Sequence, residues 1–167
     1  MYIYQDNITS PQGKLKNLEY NWAGKDVLEL GCNIGKLGVM VCDEGANSYM
    51  GIDIDKKMIE IGKERYKLKL YAGDVETYEL KADVIVAMAL FHHFNDKKLK
   101  KVLKQMECEE LIFEVPVGEP SQRYHCRERE WYMELIRECF GEVVEVVKSG
   151  ATNDSQRERL IFLCRSN

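Results

Sequence analysis

The sequence predicts an α/β fold: a seven-stranded, mostly parallel sheet with an antiparallel last strand and helices on both faces. Three observations predict it. From residue 26 onward, short β-favourable apolar runs alternate with amphipathic stretches, the pattern of parallel strands joined by crossover helices. Several of these runs stop at glycine, aspartate or histidine, as in DVLELG, GIDID, YAGD and ALFHH, so polar groups gather at one edge of the sheet. The final two runs, EVVEVVKSG and ERLIFLCRS, are joined only by the polar loop GATNDSQR; so short a connection makes them an antiparallel pair.

Length and composition bound what this fold can serve. At 167 residues the chain holds one domain with a substantial core, and 45% hydrophobic with 31% charged residues is an ordinary globular profile. A formal charge of −4 argues against broad non-specific binding to nucleic acid or to an anionic membrane. No apolar run reaches the roughly 20 residues a bilayer-spanning helix needs, and MYIYQDNITS lacks the layout of a signal peptide, so a cytoplasmic protein is expected. The six cysteines, Cys32, Cys42, Cys108, Cys126, Cys139 and Cys164, contain no C-x-x-C pair. They read as small buried hydrophobes, and no metal site is expected from them.

The elements follow in order. Residues 1–25 form an N-terminal segment in which Ser10-Pro11 starts a helix and Leu15, Leu18, Tyr20 and Trp22 recur at loosely helical spacing. A single domain then runs from 26 to 167. Val27, Leu28 and Leu30 make a buried strand that breaks at Gly31, Gly35 and Gly38, with a helix from about Lys36 that Gly45 ends. The second strand, 48–55, terminates in Asp53, and Asp55 caps the helix KKMIEIGKERY. Residues 67–75 alternate as a half-buried strand and reach Gly73-Asp74. The run 82–96 is the most apolar in the chain and reads as a strand buried on both faces, ending in His92-His93. Asn95 or Asp96 caps KKLKKVLKQME, with Phe94, Leu99, Val102, Leu103 and Met106 on one inward face and Lys97, Lys98, Lys100, Lys101 and Lys104 solvated. A fifth strand, 109–120, is stopped by Pro116, and REREWYMELIRECFG is a helix with Trp131, Leu135, Ile136 and Phe140 inward.

The glycine turn after the first strand is the informative stretch. Spaced glycines between a strand and a helix present free backbone N–H groups and the positive end of a helix dipole, which makes a ligand site. A dinucleotide turn is G-x-G-x-x-G and cradles a pyrophosphate, which an acidic residue at its mouth would repel. Here the glycines are 31, 35 and 38, and Glu29 precedes them, which suits a ligand with a cationic head. A plain strand-turn-helix corner without ligand is the simpler alternative. Asp53, 18 residues after Gly35, stands where a nucleotide-binding unit places a carboxylate on ribose hydroxyls.

ELGCNIG resembles motif I of the class I S-adenosylmethionine-dependent methyltransferases, E/D-x-G-x-G-x-G, with Asn33 in place of the middle glycine. Asparagine is the residue that best tolerates a left-handed backbone there. Asp74-Val75 and the run ending in His92-His93 fall in register with later motifs of the same family, so the resemblance covers about 140 residues. It implies a Rossmann-like domain that binds S-adenosyl-L-methionine and releases S-adenosyl-L-homocysteine. The implied binding set is Glu29, Gly31, Asn33 and Gly35 for the amino acid portion, Asp53 and Ile54 for the ribose and its neighbourhood, Asp74 and Val75 for the adenine, and Ala89 at the fourth strand's end.

The D/N-P-P-Y/F signature of many nucleic-acid and protein amide N-methyltransferases is absent, which argues against DNA base methylation. His93, and after it His92, are the candidate general bases, because imidazole titrates near neutrality. Glu114, Arg123, Tyr124 and His125 are candidate acceptor-pocket residues. The acidic charge favours a small-molecule acceptor that is methylated on an O, N or S atom, with a second subunit able to complete the pocket. A tRNA base, a protein acceptor and a non-catalytic partner subunit of the same fold are the alternatives, and a nicotinamide-dependent oxidoreductase is a third class.

Overall fold

The computed structural model describes residues 10–118, 125–150 and 158–167. The strands of its main sheet are β1 (Asp26–Leu30), β2 (Ser48–Asp53), β3 (Lys69–Ala72), β4 (Val84–Met88), β5 (Glu110–Pro116), β6 (Gly141–Lys148) and β7 (Arg159–Ser166). They form one seven-stranded sheet in the order β3-β2-β1-β4-β5-β7-β6. The pairs β3–β2, β2–β1, β1–β4 and β4–β5 are parallel, while β7 runs antiparallel to both β5 and β6. The expected architecture is therefore present, with the last strand inserted between β5 and β6. Strand order reverses between β1 and β4, and a parallel sheet opens a crevice beyond its strand ends at such a switch.

The helices are α1 (Pro11–Leu15), α2 (Lys36–Asp43), α3 (Lys56–Tyr66), α4 (Asp96–Gln105) and α5 (Arg129–Cys139). Alternation along each strand sends successive side chains to opposite layers, and both layers are dry. On one face Val27, Tyr49, Val84, Val86 and Ile112 pack with Leu37, Met40 and Val41 of α2 and with Leu15, Leu18 and Trp22 of the N-terminal segment. On the other, Leu28, Leu30, Ile85, Phe113 and Phe162 meet Leu99, Val102 and Leu103 of α4 and Tyr132, Leu135 and Ile136 of α5. Phe113 and Phe162 stack with ring centroids 4.7 Å apart. Each such fully buried side chain stabilises the fold by about 1.5–3 kcal/mol. Gly38 sets how closely α2 approaches the sheet, since a Cβ there would lie 2.4 Å from the Tyr49 ring.

Local signals placed most helix starts. Ser10 accepts from the Gly13 N–H, Asp55 from Lys57 and Met58, and Asn95 from Lys98. Several readings need correction. The apolar run 82–96 is strand only over Val84–Met88, because Ala89 turns into the left-handed region at φ 59° and Phe91–His93 form a 3₁₀ turn. The second strand stops at Asp53 rather than 55, and the third spans only Lys69–Ala72. Tyr132, not Trp131, is the buried aromatic of α5, and Phe140 is half-buried. The cysteines are not uniformly buried: Cys32, Cys126 and Cys164 are, Cys42 is exposed, and Cys108 and Cys139 lie between. The lysines of α4 are not simply solvated, since Lys98, Lys100 and Lys101 form ion pairs with Asp74 and Glu76, Glu138, and Glu76 respectively.

Candidate functional site

At the strand C-termini, a cleft is lined by Gly31, Asp53, Ile54, Gly73, Asp74, Val75, Leu90, Phe94 and Lys98. It lies beside the β1–β4 switch, and each wall is set by local chain chemistry. Gly31 has φ 75°, which only glycine adopts without strain, and its N–H reaches the Ile52 carbonyl at 2.8 Å. Asn33 takes φ 51°, and its side-chain oxygen accepts from the Ile34 N–H, a local bond that helps an asparagine hold the left-handed turn. Gly35, at φ 82°, is the N-cap of α2 and supplies no side chain, so the first N–H groups of that helix remain uncapped by its neighbour's side chain.

Asp53 ties this turn to β2. Its Oδ2 accepts the Asn33 N–H at 2.7 Å and its Oδ1 accepts the Asp55 N–H at 2.9 Å. A carboxylate has about four acceptor positions, so each oxygen keeps capacity for a vicinal diol. Next to it Ile54 is 76% exposed, a large apolar side chain spread over the cleft rather than into the core. Across the cleft Asp74 caps the 3₁₀ turn Val75–Thr77 by accepting from the Glu76 N–H. Lys98 Nζ stands 3.0 and 2.9 Å from the two Asp74 oxygens. That hydrogen bond, first among the causes, holds the Asp74 carboxyl below the usual range.

Glu29, expected at the mouth of the turn, is 2% exposed and lies beneath it on the α2 side of the sheet. The Tyr49 hydroxyl donates to its Oε2. Burial pushes the Glu29 carboxyl up to about 8, against the Tyr49 hydrogen bond and the charge of Lys14, which both lower it. The sequence missed this because it depends on Gly38 letting Tyr49 lie flat under α2.

The histidines separate. His93 is exposed, whereas His92 is 4% exposed and its carbonyl accepts the His125 N–H at 2.7 Å. The two rings lie 4.2 Å apart. Burial first, then the neighbouring charges of His93, Arg159 and Lys14, push His92 down to about 3, so it is neutral at pH 7. Glu114 is fully buried near the end of β5, and its backbone carbonyl accepts the Ala89 N–H at 3.1 Å. Its carboxylate accepts from Ser149 and from Arg159 at 3.1 Å, with Lys14 Nζ at 3.7 Å. Burial alone would raise its pKa, but Lys14 and Arg159 hold it below the usual value. The Glu114 carboxylate thus pairs with basic side chains. His125 is exposed beside this region, while Arg123 and Tyr124 lie outside the described residues. Among the described residues no cluster of His, Cys, Asp or Glu is arranged to hold a metal ion, and no helix is long and apolar enough to cross a membrane.

The structure therefore brings Gly31, Asp53, Ile54, Asp74 and Val75 to one cleft, with Asn33 and Gly35 shaping the adjoining turn. Leu90, Phe94 and Lys98 were missed as wall residues. The i, i+4 spacing of Phe94 and Lys98 just after a strand end was the available signal, but it is equally the spacing of any helix face.

Known proteins share part of this sequence and this fold. Residues 27–108 match the model of a family described as "Methyltransferase domain". Over 75 residues the chain is 36% identical to the ribosomal protein L11 methyltransferase of Aeromonas salmonicida, a stretch covering 41% of this chain and 26% of that protein. Over 68 residues it is 35% identical to the human 7SK snRNA methylphosphate capping enzyme, covering 40% of this chain and 10% of that protein. The matched stretches thus span about a quarter or less of these relatives. Among solved structures, the 1,6-didemethyltoxoflavin-N1-methyltransferase of Burkholderia thailandensis, with S-adenosylhomocysteine and 1,6-didemethyltoxoflavin bound, superposes with a TM-score of 0.80 at 13% identity, covering 99% of this chain and 81% of that one. Magnesium protoporphyrin IX methyltransferase of Synechocystis, with bound S-adenosylhomocysteine, gives 0.75 at 13% identity, covering 88% and 76%. Over residues 27–108 the chain is thus similar to methyltransferase domains, and it shares the Rossmann-like fold of these solved methyltransferases.

Proposed function

We propose that this chain binds S-adenosyl-L-methionine in the cleft beside β1 and transfers its methyl group to an O, N or S atom of a small-molecule acceptor, releasing S-adenosyl-L-homocysteine. The observation that carries the reading is the convergence of Gly31, Asp53, Ile54, Asp74 and Val75 on one cleft at the switch point. Each fits a part of the ligand. Asp53 retains acceptor capacity for the ribose hydroxyls, exposed Ile54 offers an apolar surface to the base, and Asp74 with the Val75 N–H meets the adenine edge. Asn33, Gly35 and the N-terminus of α2 receive the amino acid carboxylate, and Glu29 receives its ammonium from below the turn.

Bound there, the sulfonium supplies an electrophilic methyl carbon. The chain's own part is chiefly alignment, because in-line attack disperses charge and proximity removes much of the barrier. Ala89, held to β5 through the Glu114 carbonyl, sits with Leu90 at the end of β4 and fixes the floor where acceptor and methyl meet. His93, exposed at this edge, is the general base: its imidazole accepts the acceptor's proton as the new bond forms. His92, neutral and buried, positions it. The N-terminal segment, described from Ser10 onward, caps the site with α1 as its anchor, and His125 contributes to the acceptor pocket, while residues 1–9, Arg123 and Tyr124 lie outside the described residues. A second subunit can complete that pocket, and a cytoplasmic location belongs to the same reading.

The small-molecule reading draws support from the net charge of −4 and from the ion pairs that already neutralise Lys98, Lys100 and Lys101, which leaves α4 a poor nucleic-acid surface. Titration calorimetry with S-adenosylmethionine, S-adenosylhomocysteine and NAD tests the assignment. Binding of the first two is expected; binding of NAD alone, or of none, overturns it.

A further inference from the structure

Lys98 belongs to α4, on the far side of the cleft from the glycine turn, and its ammonium makes a set of contacts that a solvated lysine does not. Besides both Asp74 oxygens, Nζ stands 3.1 Å from Glu76 Oε2 and 4.7 Å over the centroid of the Phe94 ring. Its side chain is 27% exposed, while Asp74 is 36% and Glu76 24% exposed. Lys101 Nζ takes the other Glu76 oxygen at 3.0 Å. Two carboxylates two residues apart repel each other, and one shared ammonium is what allows both to face the same wall. The acceptor count is specific. Among the described residues, Asp74 Oδ1 receives Lys98 and the Glu76 N–H, whereas Oδ2 receives Lys98 alone. With about two acceptor positions per oxygen, one position of Oδ2 remains for a donor arriving from the cleft.

We propose that Lys98 is a positioning residue of the cofactor site: it holds the Asp74 carboxylate in the one orientation that accepts the exocyclic amino group of a 6-aminopurine. The inference rests on the cofactor reading above and adds to it a source of base selectivity. Without Lys98, Asp74 rotates away from Glu76 and its free acceptor position no longer faces the base. The apolar contacts of Ile54, Leu90 and Phe94 with the ring remain. Loss of Lys98 therefore weakens only the part of binding that depends on the amino group.

The experiment compares S-adenosylhomocysteine with its 6-deamino counterpart, in which hydrogen replaces the amino group, by calorimetry on the wild-type chain and on Lys98→Met and Lys98→Gln. A hydrogen bond to a charged acceptor supports a wild-type preference of about tenfold or more for the amino ligand. In both variants that preference is expected to collapse to about twofold, with the affinity for the deamino ligand unchanged. A preference that persists in both variants overturns the proposal, as does equal weakening of both ligands, the signature of a merely structural role. Lys98→Gln has the same length as Lys98→Met but a polar, uncharged tip, so it guards against a defect caused by setting an apolar group beside Asp74 and Glu76 in Lys98→Met. If the wild-type chain binds neither ligand, the cofactor reading itself fails, a result distinct from the failure of Lys98.

Discussion

Replacing Glu29 by glutamine should stabilise the free protein at neutral pH, and the amount follows from its surroundings. The carboxyl titrates at about 8 in the fold against an ordinary 4.5 in the unfolded chain, because burial disfavours its charged form. A raised acid pKa means that the native state holds a proton the unfolded state has lost. Stability is therefore full below about pH 4.5 and drains away as pH rises toward 8. At pH 7 the accumulated cost is about 3 kcal/mol. Glutamine keeps an acceptor for the Tyr49 hydroxyl and carries no proton to lose, so Glu29→Gln should match the wild type near pH 4 and exceed it by up to about 3 kcal/mol at pH 7. For a chain of this size that corresponds to a rise in Tm of about 6–12 °C. Urea unfolding of both proteins at half-unit steps from pH 4 to 8 measures the divergence. A stability difference that stays constant across that range would refute the argument, since it would mean that Glu29 titrates alike in both states. The same protonation has a second sign: if Glu29 receives the ligand's ammonium, binding at pH 7 releases a proton, which calorimetry in buffers of different ionisation enthalpy detects.

Four further outcomes are expected. Asp53→Ala removes the acceptor for both the Asn33 and Asp55 N–H groups, so affinity for S-adenosylhomocysteine should fall by more than about tenfold; an unchanged dissociation constant would contradict the ribose assignment. His93→Ala, at an exposed position, should lower turnover with Tm and cofactor affinity held, whereas His92→Ala, 4% exposed, should lower Tm first. Gly38→Ala forces a Cβ to within 2.4 Å of the Tyr49 ring and should cost about 1–3 kcal/mol or more in urea unfolding, with α2 displaced from the sheet. Glu114→Ala strands Lys14 and Arg159 in a buried position and should destabilise by about 3–5 kcal/mol, well beyond a surface ion pair.

What could be read from the chain was what the chain decides locally. Asp55 and Asn95 cap helices through bonds that reach only two or three residues, so their identity and position were enough. Short, nearly continuous apolar runs at β1 and β4 carried the sheet, and the short final loop carried its antiparallel pair. The end of β4 was illegible because Leu90 and Phe91 prolong the apolar run while Ala89 breaks it through a backbone angle that no side chain advertises. The fate of Glu29 was illegible because it turns on Tyr49 and Gly38, which meet it only in the packed sheet. Lys98 looked like one lysine among five on a polar face, since its partner Asp74 is 24 residues away. Polar contacts across elements are what a one-dimensional pattern does not contain.

The place of β7 has a consequence for how this protein is made. Arg159–Ser166 emerges from the ribosome after every other strand, yet it occupies the slot between β5 and β6. Until it arrives, β5 presents an unpaired rim along Glu110–Pro116, and Gly141–Lys148 has no neighbour to bond. The nascent chain therefore passes through a stage with two open strand edges, the form most prone to stick to its own kind. Closure is a single late insertion that joins both edges at once, so a lesion in those eight residues should act on yield during synthesis more severely than on the cleft at the opposite side of the sheet.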